Sequence, residues 1–213
     1  MFYNVHTHHA ITDKEVFCVE NISSEFNQDL TGRHVSVGLH PWYLDEGTWP
    51  EELTILQMNA AKSEVLAIGE CGLDKLTAAA WDLQLKVFRQ QIKLAEELNK
   101  PLIIHCVKAF QEVLTELRGV KVPVIFHGIN NKRTVMRPII DSGHYLSFGK
   151  SLLSNIESVR DTFMATPLDR IFLETDDAMT DIREIYKSAS LIKEISEKEI
   201  VLQLEKNFET VFC

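Results

Sequence analysis

Cysteine is scarce in this chain and nowhere paired. Cys18, Cys71, Cys106 and Cys213 lie far apart and form no Cys-x-x-Cys, which argues against a thiolate zinc site or a thioredoxin-type redox motif. Long apolar runs are lacking too: no stretch reaches the roughly 20 residues that a helix needs to span a bilayer. The first residues carry neither a charged n-region nor an apolar h-region, so a cytoplasmic enzyme with no membrane partner is expected. Positive charge is in deficit, with 22 Lys and Arg against 31 Asp and Glu and a formal net charge of −9. Broad binding of duplex nucleic acid through many phosphates calls for a basic face, so that class is disfavoured, while a locally basic mouth stays open. Glycine-rich phosphate loops of the Gly-x-Gly-x-x-Gly or Walker type follow no apolar run. There is no repeat, low-complexity tract or linker. A single domain covering residues 1–213 is therefore expected, with no obligate protein partner.

What the chain does have is alternation. Short runs rich in β-branched residues recur at Phe2–Val5, Glu15–Val19, His34–Leu39, Val65–Glu70, Leu102–His105, Val124–His127, His144–Phe148 and Arg170–Glu174. These are eight candidate strands. Most are separated by helical patterns. In Trp81–Asn99 the apolar residues Leu85, Phe88, Ile92 and Ala95 follow three-four spacing, and Pro101 stops the helix. Ser196-Glu-Lys-Glu199 reads as a capping box opening a last helix whose apolar side is Ile200, Leu204, Phe208 and Val211. Strands alternating with helices specify a parallel sheet, and the count favours an α/β fold closed as a (β/α)8 TIM-like barrel. The first crossover is too short for a full helix, so the barrel is expected to be short and distorted. A doubly wound open sheet is the other architecture this alternation allows.

The polar residues fall at the strand ends. The stretch "NVHTHHA" at residues 4–10 puts His6 and His8 on one side of an extended backbone and His9 on the other. Glu70 ends the fourth candidate strand, His105 the fifth and His127 the sixth, and Asp176 stands just beyond the eighth. Barrel enzymes build their sites on that C-terminal rim from several strands at once. So many imidazoles and carboxylates buried together need a partner, and a cation supplies it. Four histidines and two carboxylates suffice for two divalent ions about 3.5–4 Å apart with a shared carboxylate. Zinc, manganese or magnesium is expected, the imidazoles favouring a transition metal. His40 and the loop residues Lys75, Lys108 and Lys150, with Lys132 and Arg133, are candidates for a phosphate-binding pocket on the same face.

In order along the chain these elements resemble the TatD family of metal-dependent deoxyribonucleases and related hydrolases. The motifs are His6-Thr7-His8, "GECGLD" at residues 69–74, "PLIIH" ending at His105, the single His127, and Glu174-Thr175-Asp176. "VGLHPW" at residues 37–42 and the helix with Gln84, Phe88 and Gln91 resemble further family elements. The resemblance implies a distorted barrel, a two-metal centre and hydrolysis. It also implies that His6, His8, Glu70 and Asp176 hold one ion and that Glu70, His105 and His127 hold the second, with Glu70 as bridge. Asp176 would orient or deprotonate the water, making Asp176 and Glu70 the catalytic pair. The implied substrate is a phosphodiester, DNA ends included, or another small ester.

The chain also departs from the family pattern. Asn4 and Ala10 stand where aspartates are usual, and "CVKA" after His105 lacks the usual arginine. "ETDD" replaces "ETDAP". Metal ligands are kept while pocket residues differ, so hydrolysis is better supported than DNA as its substrate. The polymerase-and-histidinol-phosphatase group also opens with His-x-His, but no closing Asp-x-His is present. A small-molecule phosphoesterase, an ester, lactone or amide hydrolase on the same barrel, and a metal-bound scaffold without catalysis remain alternatives.

Overall fold

A computed structural model describes residues 1–24 and 26–213. Its eight strands are parallel neighbours in chain order. They are β1 (Phe2–Thr7), β2 (Val16–Ile22), β3 (Val35–Val37), β4 (Val65–Asp74), β5 (Leu102–Val107), β6 (Val124–Phe126), β7 (Tyr145–Phe148) and β8 (Ile171–Leu173). Each coincides with one of the runs read from sequence. The main difference is β4, which continues to Asp74 instead of ending at Glu70. Gly72 makes that possible. Its φ is +146°, and a Cβ there would lie 2.0 Å from the His105 carbonyl oxygen, so only glycine lets β4 and β5 run this close.

Backbone contacts gather in two compact units, residues 1–20 with 125–213, and residues 21–124. In the first unit the Thr7–Asp176 bridge joins the end of β1 to the residues after β8. The helices here are α4 (Arg133–Asp141), α5 (Glu157–Ala165), α6 (Ile182–Lys193) and α7 (Glu197–Phe212). The capping box read at Ser196 and Glu199 is formed, and Ile200, Leu204, Phe208 and Val211 are buried. Phe208 packs against Tyr3 and Phe17 with ring centroids 4.6 and 4.8 Å away, fastening α7 to the outer faces of β1 and β2. The Tyr186 hydroxyl donates to the Tyr3 carbonyl and accepts from its N–H, tying α6 to β1.

The second unit holds α1 (Trp49–Ala60), α2 (Trp81–Leu98) and α3 (Phe110–Glu116) with the strands between them. No helix separates β1 from β2 or β2 from β3 among the described residues, which is the irregularity expected early in the chain. The periodicity in α2 needs one correction. Leu85 is only half-buried, and the inward stripe runs through Gln84, Phe88, Gln91 and Ala95. The two glutamines are inside because they close backbone hydrogen bonds. Gln84 accepts from the Asp74 N–H and donates to its carbonyl, and Gln91 does the same for Leu39. One helix thus clamps the strand ends that carry Asp74 and His40. No helix of the described residues is long and apolar enough to cross a membrane.

Candidate functional site

Within the first unit, the bridge between β1 and the segment after β8 aligns three ligand-type side chains. The Asp176 N–H donates to the His6 carbonyl and the His8 N–H to the Asp176 carbonyl, both at 3.0 Å. His6 Nε2 and His8 Nε2 then lie 3.7 and 3.5 Å from Asp176 Oδ1. The His127 ring packs 4.2 Å from that of His6. Asp176 has φ +54°, a left-handed conformation that aspartate tolerates better than most residues, and it turns the carboxylate toward the histidines. His9 faces away, its ring nitrogen 3.1 Å from the Asp177 carbonyl.

The residues behind this cluster are tightly satisfied. Asn4 donates to Thr175 Oγ1 at 2.8 Å and accepts from the Thr175 N–H at 3.0 Å, and Thr175 in turn meets Thr7 Oγ1. The Asn4 carboxamide thus donates and accepts at once, satisfying both the hydroxyl oxygen and the N–H of Thr175. Glu174 is fully buried, accepts from the Gly128 N–H at 2.6 Å and sits 3.7 Å from His127 Nδ1.

Within the second unit, Glu70 is the centre of a second cluster. Its Oε1 lies 3.0 Å from His40 Nε2 and 2.8 Å from His105 Nδ1. The Glu70 N–H donates to Asn21 at 2.7 Å. His105 Nε2 lies 3.0 Å from Asp74 Oδ2, the oxygen that also accepts from the Trp42 indole at 2.6 Å. Burial works to raise the Asp74 carboxyl, but hydrogen bonds from Trp42, His105 and the Leu76 amide prevail and hold it below the usual carboxylate range. Cys71 is a buried thiol pushed up strongly by desolvation. Cys106 is half-buried, and desolvation pushes it up to about 12. Neither thiol is a nucleophile near neutral pH.

Both clusters have a donor set that fits a metal. In His6–His127–Asp176, and again in His40–Glu70–His105, one ligand atom from each residue lies within 4.8 Å of the others. Two ligands each about 2.1 Å from one ion are at most about 4.2 Å apart, so modest closure completes either set. Imidazole with carboxylate suits zinc, manganese or iron.

Within each unit the grouping adds a residue to the expected sets. His127 stands with His6 and Asp176, and His40, expected in a substrate pocket, stands with Glu70 and His105. Of the expected phosphate-binding lysines, Lys75 pairs with Glu112, and Lys150 lies 2.5 Å from Asp177. Lys108 follows β5 with a left-handed φ of +53°. Sequence reasoning passed over Asp74, Trp42, Asn21 and Glu174 as site residues. Asp74 carried a signal: it stands four residues after Glu70 in a strand, on the same face.

Parallel strands bearing imidazole–carboxylate clusters at their C-terminal ends define a metal-dependent hydrolase of the TIM-like kind. The sequence model of the TatD related DNase family matches residues 19–213, and the chain belongs to that family. It is 29% identical over 207 residues to the uncharacterized metal-dependent hydrolase YcfH of Escherichia coli K12, covering 87% of this chain and 77% of that one. It is 34% identical over 148 residues to YabD of Bacillus subtilis, likewise called a metal-dependent hydrolase, covering 67% of this chain and 58% of that one. A relative in Enterocytozoon bieneusi, a putative deoxyribonuclease TATDN1 homolog, is 29% identical over 174 residues, 76% of this chain and 62% of the other. Among solved structures, the Escherichia coli TatD homolog YJJV shares the fold with a TM-score of 0.84 at 19% identity, over 99% of this chain and 97% of that one.

Proposed function

We propose that this chain hydrolyses phosphoester bonds, phosphodiesters including DNA ends among them, with two divalent cations. The reading is carried by one observation: each unit gathers its own imidazole–carboxylate set, His6–His127–Asp176 in one and His40–Glu70–His105 in the other. The naming of a relative as a putative deoxyribonuclease points the same way. The bridging role of Glu70 rests on the family resemblance.

Bound cations supply an acidified water and offset the negative charge that develops on the phosphoryl oxygens. The chain's own residues do the rest. Asp176, part-exposed and facing His6 and His8, takes the proton of the attacking water. The water oxygen bonds to phosphorus as the opposite P–O bond breaks, and the proton held by Asp176 passes to the departing alkoxide, which leaves as an alcohol. Glu70 keeps the two imidazoles of its cluster oriented. Asp74 fixes His105 from behind.

The test is turnover of bis-p-nitrophenyl phosphate, p-nitrophenyl phosphate and a panel of acyl esters by protein reconstituted with zinc, manganese or magnesium, alongside elemental analysis. Metal-dependent release from the diester supports the proposal. Metal uptake with turnover confined to acyl esters removes the phosphoester assignment, and no uptake of any divalent ion removes the metal centre.

A further inference from the structure

A cavity of ≈ 520 Å³ opens beside His40, walled by Phe26, Leu39, Tyr43, Leu44 and Ile55. His40 is common to the cavity and the cluster, because it lines the cavity while its Nε2 stays 3.0 Å from Glu70. A group held in the cavity is therefore one side chain away from the candidate ligands. The volume lies in the range that small-molecule sites occupy.

The wall states what kind of group fits. No Lys or Arg lines it among the described residues, and the one charged side chain there is Glu52. An anion placed in this cavity would lose its hydration and face a carboxylate, with no cation in compensation. Phosphate therefore belongs at the cluster and not in the cavity. An uncharged group meets a different environment: aliphatic side chains, the rings of Phe26 and Tyr43, and a few neutral hydrogen-bonding groups. Tyr43 is 65% exposed, and its backbone N–H donates to the His40 carbonyl at 3.1 Å. Asn27, held by Asn59 at 3.4 Å, presents a carboxamide able to donate and accept.

We propose that this cavity binds an uncharged planar ring attached to the substrate ester, an aryl group or a nucleobase. The proposal deepens the phosphoester reading and rests on it for the reacting group alone. Apolar walls that include the Phe26 and Tyr43 side chains favour a ring over a flexible chain, since a ring buries large area at little entropic cost. The neutral polar groups can read the edge of a ring that carries them.

The experiment measures binding to metal-loaded full-length protein by calorimetry. The probes are methylphosphonate, phenylphosphonate, the phosphonate analogue of thymidine 5′-monophosphate, and p-cresol as a ring with no anionic group. Phenylphosphonate is expected to bind at least about tenfold more tightly than methylphosphonate, a difference of about 1.4 kcal/mol. Ile55→Trp, which fills the cavity from a half-buried helix position, should bring that ratio close to one, and Tyr43→Ala should lower it. A further preference for the thymidine analogue that Asn27→Leu abolishes assigns a nucleobase, whereas equal affinity for both rings assigns a plain aryl group. Equal affinity for methyl and phenyl probes, or a ring preference untouched by Ile55→Trp, overturns the proposal. Binding of p-cresol that Ile55→Trp removes, with no phosphonate bound, defeats the phosphoester reading and upholds the ring site.

Discussion

Asp74 and His105 form a charge-assisted pair in which Asp74 Oδ2 lies 3.0 Å from His105 Nε2, while the other ring nitrogen lies 2.8 Å from Glu70 Oε1. With an ion held in the cluster, the Asp74 carboxylate would keep the ring proton on Nε2 and leave the Nδ1 lone pair to the ion. Asp74→Asn disrupts this. Oδ2 serves both Trp42 and His105, and Oδ1 accepts from the Leu76 N–H. A carboxamide has one acceptor for these donors, and its NH₂ must oppose one side. The variant should bind zinc or manganese roughly 10–100-fold more weakly, the usual cost of losing an outer-shell partner. Metal competition titration checks this, and wild-type affinity would remove Asp74 from its positioning role.

Asp176 and Glu70 should separate under isosteric substitution. Asp176→Asn retains a coordinating oxygen, and its φ of +54° suits asparagine as well as aspartate, so fold and metal content should persist. Turnover should fall roughly 10²–10⁴-fold, the range for losing a positioned general base. Glu70→Gln should lose metal together with activity, because its carboxylate faces two imidazoles at 3.0 and 2.8 Å. Metal stoichiometry beside kcat for both variants decides the matter. If Asp176→Asn loses activity only in proportion to lost metal, Asp176 is a ligand and not the base.

The strands were readable because a buried parallel strand writes its own pattern, a β-branched run that ends abruptly in a polar residue. His6, Glu70 and His105 stood out by interrupting such runs. The support behind them was less readable. Trp42 meets Asp74 across 32 positions and Asp74 meets His105 across 31, and no local periodicity encodes such pairs. Leu85 shows the same limit, since α2 buries glutamines in preference to an available leucine. The backbone groups of Leu39 and Asp74 need partners that an aliphatic side chain cannot supply.

The lysines expected around a phosphate should differ in effect. Lys75 pairs with Glu112 and Lys150 with Asp177, so each positive charge is already offset at an exposed site. Lys75→Ala should raise KM for a phosphodiester by no more than about fivefold, in keeping with an exposed contact of about 1 kcal/mol or less. Lys108 has no carboxylate in an ion pair among the described residues, and Lys108→Ala should raise KM further while leaving a neutral ester unaffected. Steady-state kinetics on both substrates provide the check, and equal losses on the two would mean damage to the fold or the metal site.

Lys193 gives a pH signature independent of the active site. At the end of α6 its ammonium donates to the Thr166 carbonyl at 2.5 Å and the Met164 carbonyl at 3.0 Å. Burial lowers it from an ordinary 10.5 to about 8. The unfolded chain therefore binds more protons at this residue between about pH 8 and 10.5, and stability rises with pH across that window. Below about pH 8 both states are protonated and the cost of burying the charge is fully present. Lys193→Met removes the titration and keeps most of the apolar stem. Unfolding of both proteins in urea from pH 7 to 10.5 should show the wild type gaining on the variant as pH rises. A wild type that holds a constant offset from the variant, or loses ground to it as pH rises, would mean the two carbonyls hold the ammonium strongly enough to cancel the effect of burial.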